Sequence, residues 1–529
     1  MLSKNALRVL EKRYLLKDEK GRIIETPDQM FKRVAKYISK GNKKLENEFY
    51  QVIKNLEFLP NSPTLMNSGT KIGQLSACFV LPIEDSLESI FSTLKSAALI
   101  HQSGGGTGFN FSRIRSKGDI VKSTKGAASG PLSFMEVYDK TTYVIRQGGK
   151  RRGANIGILN IDHPDIVDFI KSKEKEGSFA NFNISVALTD KFMKALEQNK
   201  QFELINPRTK KTVKKINAKK LFDILVEMAW KTGDPGIIFI DEINKKNPLK
   251  SIGKIESTNP CGEVPLLSYE SCNLGSINLT KFVSHGKIDY NKLKKVIYTA
   301  VNFLDNVIDV NKYPLPEIEK ITKANRKIGL GVMGFADMLI MLGVRYDSNK
   351  ALKIADELMK FISETAVKAS VEIAKKKGSF PNFKKSEWAK KCKSIRNATL
   401  TSIAPTGSIS IIADCSSGIE PLFATKFARL SLGKEFLYEH PLLKKYDKKL
   451  FVTAHNIAPE QHVKMQSVFQ KYTDNGVSKT VNLKKNASKQ DVKKIFLLAY
   501  KLKCKGITVY REASKKQQVL NIGKCKICD

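Results

Sequence analysis

Acidic residues, histidine, cysteine and long apolar runs are all scarce in this chain, and each scarcity excludes something. No apolar stretch approaches the ~18 residues of a membrane-spanning helix, and the N-terminal MLSKNALRVLEKRYLLKDEKG lacks a signal-peptide core. The expected location is cytoplasmic, with no membrane contact. Six histidines scattered over 529 residues, with neither an HExxH nor a Glu-x-x-His pair, argue against a metal centre built by the protein itself. Eight cysteines in so long a chain are too few for a secreted disulfide scaffold. No GxxxxGK[ST] occurs, and GGGTG and GGKRRG both miss the full GxGxxG pattern, so neither glycine cluster is a phosphate loop of those kinds. Only 52 Asp and Glu face 91 Lys and Arg, a net charge of +39. Such a field attracts polyanions, nucleotides and nucleic acids included. The lysines are spread from end to end, which equally fits a solvated basic surface with no dedicated nucleic-acid partner.

What is present describes a globular α/β protein. Hydrophobic residues make up 41% of the chain and charged residues 27%, enough apolar material for a large core. Thr26-Pro27 is a helix entry, followed by the stripe Met30, Phe31, Val34, Ala35 and Ile38, in a helical region that runs to Leu59. A strand is expected over Leu75 to Leu81, carrying Cys78. Asp85 and Glu88 are spaced as a capping pair for a helix with Leu87, Ile90, Phe91, Leu94, Ala97 and Ala98 on its apolar side. Residues Lys117 to Pro131 read as a loop, and Gln147 to Ile161 as a basic glycine turn feeding a strand. Helices are expected at 290–311, 349–377 and 490–502, and short strands at Gly236–Ile240, Ile328–Val332, Thr399–Ile403 and Ile507–Tyr510. This alternation predicts a mainly parallel, buried sheet. No repeat or linker divides the chain, so one large catalytic domain is expected.

With metal and P-loop chemistry set aside, cysteine is the reactive element. Cys392, Cys415 and Cys504 read as small buried hydrophobes. Cys261 does not: in Asn259-Pro260-Cys261-Gly262-Glu263 a rigid and a permissive residue flank the thiol and force a tight tip. A carboxylate two residues away raises a thiol's pKa, which argues against a Cys-His type thiolate nucleophile. It suits a neutral thiol, or a sulfur radical, beside a general base acting on a substrate hydroxyl. Cys525 and Cys528, in CKIC, read either as half a zinc site or as an exchanging dithiol on a tail. IAPTGSISII, from Ile403 to Ile412, reads as a strand ending in a turn that opens a helix, and backbone N–H groups and hydroxyls there suit a phosphate, as they also suit a simple capped turn.

Five segments in order, NSPTLMNSGTKIGQLSACFVLPIEDS, QGGKRRGANIGIL, NPCGEVPLLSYESCNLGSINL, APTGSIS and CKGITVYREAS, resemble the large catalytic subunit of ribonucleotide reductase, most closely the adenosylcobalamin-dependent class II form. The likeness spans about residues 5 to 520. It implies a ten-stranded α/β barrel of two five-stranded halves with a central finger loop. The corresponding regions are 1–59 (helical, no ATP cone), 60–511 (barrel) and 512–529 (redox tail). It further implies that Cys261 carries a thiyl radical, Glu263 is the base for the 3′ hydroxyl, and Asn259 hydrogen-bonds the substrate. Cys78 and Cys272 would be the reducing pair, reset by Cys525 and Cys528 and then by a thioredoxin- or glutaredoxin-like protein. Ser62, Ala77, Cys78, Gly106, Pro260, Gly262 and the turn Pro405, Thr406, Gly407, Ser408 and Ile409 would hold a ribonucleoside di- or triphosphate. Asp85, Arg115 and Arg151 would lie at a dNTP effector site of a homodimer. Tyr510 stands alone where the metal-subunit-dependent class has a tyrosine pair, so adenosylcobalamin is the expected radical source and a class I large subunit the alternative. A nucleic-acid-binding protein is the remote alternative.

Overall fold

The computed structural model describes residues 2–121, 125–147, 151–431, 434–514 and 520–521, with backbone alone at 146–147, 151–152, 426–431, 434–439 and 520–521. Three helices open the chain: α1 (Lys4–Arg13), α2 (Pro27–Ile38) and α3 (Lys43–Lys54). Thr26 and Gln29 form a reciprocal capping box at the start of α2, and Met30, Phe31, Val34, Ala35 and Ile38 are its buried face. A short α4 (Ser62–Asn67) follows, capped by Asn61.

Five strands then run parallel: β1 (Cys78–Val80), β2 (Gly106–Asn110), β3 (Asn155–Asn160), β4 (Phe182–Leu188) and β5 (Gly236–Phe239). Their almost continuous burial is what a parallel sheet covered on both faces requires. Farther along come β6 (Leu274–Asn278) and β7 (Gly329–Met333), parallel to each other, and β8 (Thr480–Leu483) and β9 (Gly506–Arg511), also a parallel pair. Two parallel bridges, Leu330 to Thr401 and Ile403 to Val477, connect β7 to the residues just before β8. The two sets meet antiparallel twice. Ile237 of β5 pairs with Ile507 of β9, and Phe79 of β1 bridges Ser271, just ahead of β6.

Helices α5 (Leu87–Gln102) and α6 (Pro131–Val144) pack on the first set, over a core that includes Phe109, Phe111, Tyr138 and Phe182. The helices Tyr290–Val310 and Asn349–Lys377 cover β6 and β7, with Phe303 edge-on to both Phe49 and Phe58. Each such fully buried phenylalanine contributes ~2–3 kcal/mol of transfer free energy, so α1 to α3 are tied to the second set of strands.

Four expectations need correction. The strand around Cys78 begins at Cys78 instead of Leu75, because the Leu75 N–H is taken by Asn311 Oδ1 at 2.6 Å instead of by a neighbouring strand. The cap of α5 is Ser86, whose hydroxyl accepts from the Ser89 N–H, while Asp85 turns to Arg115. On α5, Ile90 and Ala97 are buried but Leu87 and Phe91 face outward, 64% and 49% exposed. Of the three cysteines read as buried, Cys504 is, its thiol pushed up to about 12 by burial; Cys415 is half-buried as a residue although burial pushes its thiol well up, and Cys392 is half-buried.

Candidate active site

Between β5 and β6 the chain makes a hairpin in which Ser257–Thr258 pairs antiparallel with Pro265–Leu266. Its tip is Asn259 to Val264. Asn259 closes it from both sides: its N–H donates to the Val264 carbonyl at 3.2 Å, and its side-chain Oδ1 accepts from the Val264 N–H at 2.9 Å. Gly262 turns the chain at φ +80°, a conformation that disfavours a side chain. Cys261 is thereby projected outward at the tip while Asn259 and Glu263 are buried beside it.

The hairpin passes against strands that are hollowed to receive it. A Cβ on Gly108 of β2 would lie 1.8 Å from the Thr258 carbonyl oxygen, one on Gly106 would lie 3.1 Å from Pro260 Cγ, and one on Gly476 would lie 2.5 Å from the Gly262 oxygen. Hydrogen bonds then fix it. Asn183 Nδ2 donates to the Pro260 carbonyl at 2.8 Å, and the Glu263 carbonyl accepts from the Gly476 N–H at 2.7 Å and from Ser402 Oγ at 2.9 Å. These contacts come from β4, from the segment 401–403 and from the approach to β8, so the tip is held from both sets of strands. Gly108, Asn183, Ser402 and Gly476 escaped the reading of the sequence; a glycine at every second position of a strand, as in GTGFN, was the available signal for a close backbone approach.

Cys78 and Cys272 face each other. The Phe79–Ser271 bridge puts them directly opposite in an antiparallel ladder, where the Cys272 N–H donates to the Cys78 carbonyl at 2.9 Å. Opposite residues in such a ladder present their side chains on one face with Cβ atoms ~4.5–5.5 Å apart, a small movement from the ~3.8 Å of a disulfide. Both are buried. Asn259 Nδ2 donates to Cys78 Sγ at 3.3 Å, which links the hairpin tip to this pair. Ala77, Cys78 and Cys272 share a small buried cluster with Val264 and Leu266 of the hairpin, and Ala404 packs against it. Ala77 and Gly106 are adjacent, the Gly106 N–H donating to the Ala77 carbonyl at 2.9 Å.

Next in the chain, Pro405 to Ile409 turns into the four-residue helix Ile409–Ile412. Thr406, at φ +52°, is locked by its Oγ1 accepting from the Gly418 N–H at 2.7 Å, which leaves Gly407 exposed and Ser408 half-buried. Pro405 lines the same cavity, about 540 Å³, as Pro260, Cys261 and Gly262; Asn183, Ser185 and Tyr510 complete part of its wall. Ser62, the first residue of α4, shares a 2.7 Å hydrogen bond with the Tyr14 hydroxyl. The structure thus gathers Cys261, Glu263, Asn259, Cys78, Cys272, Ala77, Gly106 and Pro405 about one hairpin tip.

Asp85 and Arg115 stand apart on the outer side, joined at 2.8 Å from Nε to Oδ2. For Arg151 the structure describes the backbone only, in a two-residue strand paired with Arg146–Gln147. Cys525 and Cys528 lie outside the described residues. Among the described residues no group of His, Cys, Asp and Glu is arranged to hold a metal ion, and no helix is long and apolar enough to cross a membrane.

Comparison with known proteins gives the family. Residues 1–73 match the model of the ribonucleotide reductase all-alpha domain and residues 76–510 that of the ribonucleotide reductase barrel domain. The chain is 50% identical to the vitamin B12-dependent ribonucleoside-diphosphate reductase of Thermoplasma acidophilum, over 99% of this chain and 80% of that protein. It is 46% identical to the protein of the same description from Mycobacterium tuberculosis, over 98% and 81%. With the ribonucleoside-diphosphate reductase subunit alpha of Chlamydia pneumoniae the identity falls to 29%, over 91% and 56%. A thiol-tipped hairpin, a facing cysteine pair and matches to both domains over almost the whole chain place this protein in the ribonucleotide reductase family.

Proposed function

We propose that the protein reduces ribonucleoside diphosphates to 2′-deoxyribonucleotides for DNA synthesis, by a thiyl-radical mechanism dependent on adenosylcobalamin. The observation that carries the reading is the register that sets Cys78 opposite Cys272 within reach of Asn259, at the foot of a hairpin whose tip is Cys261. The antiparallel meetings at β5–β9 and at Phe79–Ser271 support the ten-stranded barrel: β1 to β5 form one half, and β6, β7, the 401–403 segment, β8 and β9 the other.

The chemistry assigned to these residues balances. Cys261, as a thiyl radical, takes the hydrogen from C3′ of the ribose and becomes a thiol. Glu263 accepts the 3′ hydroxyl proton, and the 2′ hydroxyl leaves as water with a proton from the cysteine pair. Cys78 and Cys272 together give up two electrons and two protons and become a disulfide, one proton leaving in the water and the other ending as hydrogen on C2′; Cys261 then returns its hydrogen to C3′ and is again a thiyl radical, while Glu263 returns its proton to the 3′ oxygen. Burial of the pair limits competing oxidation, and Asn259 holds Cys78 from the hairpin side. The disulfide must then be reduced from outside; Cys525 and Cys528, followed by a thioredoxin- or glutaredoxin-like protein, are the proposed route.

The cavity beside Cys261 suits a cofactor that brings its own metal ligands. It offers amides, hydroxyls and apolar strand surface, and the described residues supply no metal-binding cluster of their own. Ile156, Ser185, Asn482 and Thr508 on its walls would hold the cofactor's organic part. When bound, adenosylcobalamin supplies the one-electron oxidising power that makes Cys261 a radical. The names of the T. acidophilum and M. tuberculosis relatives support both the cofactor and the diphosphate substrate.

The exposed faces of α5 and α6, with Leu87, Phe91, Val137 and Val144 outward, support a homodimer that meets through these helices. The neighbouring Asp85–Arg115 pair, with Arg151, is the proposed dNTP effector region. Anaerobic incubation of CDP and CTP with dithiothreitol and a dNTP, with and without adenosylcobalamin, tests the proposal. Deoxycytidine diphosphate is expected only with the cofactor and not from Cys261→Ala; equal turnover without cofactor would overturn it.

A further inference from the structure

Two neighbouring residues at the end of α1 reach two distant segments of the proposed substrate site. Arg13 Nη1 donates to Ser408 Oγ at 3.1 Å across 395 positions of sequence, and the Tyr14 hydroxyl meets Ser62 Oγ at 2.7 Å. Tyr14 is buried and Arg13 half-buried. Among the described residues the guanidinium lacks the carboxylate that most others have; Arg511 lacks one too, but it lies over the Trp230 ring and donates to two backbone carbonyls. Arg33, Arg115, Arg208 and Arg326 each meet a carboxylate within hydrogen-bond distance. Arg13 meets none among the described residues, and its Nε is buried without a hydrogen-bond partner. Holding a cation partly out of water with no counter-charge is costly, and an anion drawn to the site removes that cost. The turn Pro405 to Ile409 contains no lysine or arginine of its own.

We propose that Arg13 binds a phosphate of the substrate, so that the N-terminal helix supplies the cation that the Pro405–Ile409 turn lacks. With Nη1 committed to Ser408, the edge carrying Nε is the fork that takes two phosphate oxygens. Ser408 aims the guanidinium, and Tyr14, by anchoring α1 to Ser62, fixes its distance from the site. The ligand class is a ribonucleoside diphosphate, recognised through its phosphate end and not through its base.

This assignment rests on the ribonucleotide-reduction reading above, and the test separates the two. Binding of CDP, cytidine and inorganic pyrophosphate to the full chain is measured by calorimetry for wild type, Arg13→Ala and Arg13→Lys, beside turnover of CDP with adenosylcobalamin. Loss of a charge-assisted fork is worth about a 10- to 150-fold change in affinity. Arg13→Ala is expected to weaken CDP and pyrophosphate by a similar factor in that range, to leave cytidine unchanged, and to raise KM more than it lowers kcat. Arg13→Lys, which keeps the charge and loses the fork, is expected to fall between. If pyrophosphate and CDP bind Arg13→Ala and Arg13→Lys as tightly as wild type, or if cytidine weakens equally, Arg13 is not a phosphate ligand. Wild type that turns over no ribonucleotide at all would instead sink the underlying reading.

Discussion

Gly108→Ala tests the hairpin's place in the site with the smallest change available. The added Cβ would fall 1.8 Å from the Thr258 carbonyl oxygen, the last strand residue before Asn259. A carbon and a carbonyl oxygen settle at about 3.3 Å or more, so either the hairpin or β2 must retreat by roughly 1.5 Å. The hairpin is the softer of the two, since β2 is paired on both sides by β1 and β3. Its retreat carries Asn259 away from Cys78, and Cys261 moves with it. A misplacement of about 1 Å at reacting groups costs on the order of 100-fold in rate, so kcat/KM should drop at least that far. Overpacking of one methyl costs ~1–3 kcal/mol of stability, which a chain of this size should survive folded. The assay is deoxynucleotide formation beside far-UV circular dichroism. Gly253→Ala is the control, because its Cβ meets nothing nearer than Leu267 Cδ2 at 3.4 Å. Folded Gly108→Ala protein with wild-type turnover would refute the argument that the hairpin is seated against β2.

Two further outcomes follow from the same structure. Mass spectrometry after one anaerobic turnover without external reductant, on a Cys525→Ser/Cys528→Ser variant whose tail cannot reset the pair, should find Cys78 and Cys272 joined, whereas Cys78→Ser and Cys272→Ser should each abolish multiple turnover; a disulfide elsewhere in the tail-blocked variant would contradict the facing pair. His462 is held neutral, its pKa pushed down to about 2 by burial and by the Lys479 ammonium 3.0 Å from Nδ1. Because the folded value lies below the unfolded 6.5, the contribution is fully present above pH 6.5 and fades as the pH falls toward 2, about 2 kcal/mol being lost by pH 5. His462→Gln should therefore flatten the fall in urea midpoint between pH 7.5 and 5, and an unchanged slope would show that His462 is not the group responsible.

The periodic elements were legible because their determinants are local. The Thr26 cap, the stripe of α2 and the helix 349–377 can each be read within one window of sequence, and each is found where that window put it. The same locality failed at Asp85. Spacing to Glu88 suggested a cap, but Arg115, thirty positions away, competes for the carboxylate, and Ser86 takes the cap. Exposure of Leu87 and Phe91 was equally hidden, since periodicity marks an apolar face without saying whether the same chain covers it. For the candidate site, the turn at Cys261 followed from Pro260 and Gly262. The clamp around it did not, because Gly108, Asn183, Ser402 and Gly476 acquire meaning only once β2, β4 and two later segments surround one loop.

The antiparallel meeting at Phe79–Ser271 explains why the two sets of strands must belong to one unit. Parallel neighbours are linked by a long crossover and are offset along the chain direction, whereas the antiparallel bridge lets residues from two sets face each other squarely. Cys78 belongs to the first set and Cys272 to the approach of the second, so the pair exists only where the sets close on one another. The hairpin that carries Cys261 is the connection from β5 toward β6, that is, the link between the same two sets. Chain order therefore delivers the tip thiol and the facing pair to one place: the segment that joins the two sets is held between them, and its return, Tyr269 to Cys272, completes the ladder against β1. A deletion that shortened Thr258–Leu266 would leave both sets of strands able to pair yet withdraw Cys261 and Asn259 together from Cys78. Site and seam are one feature of the topology.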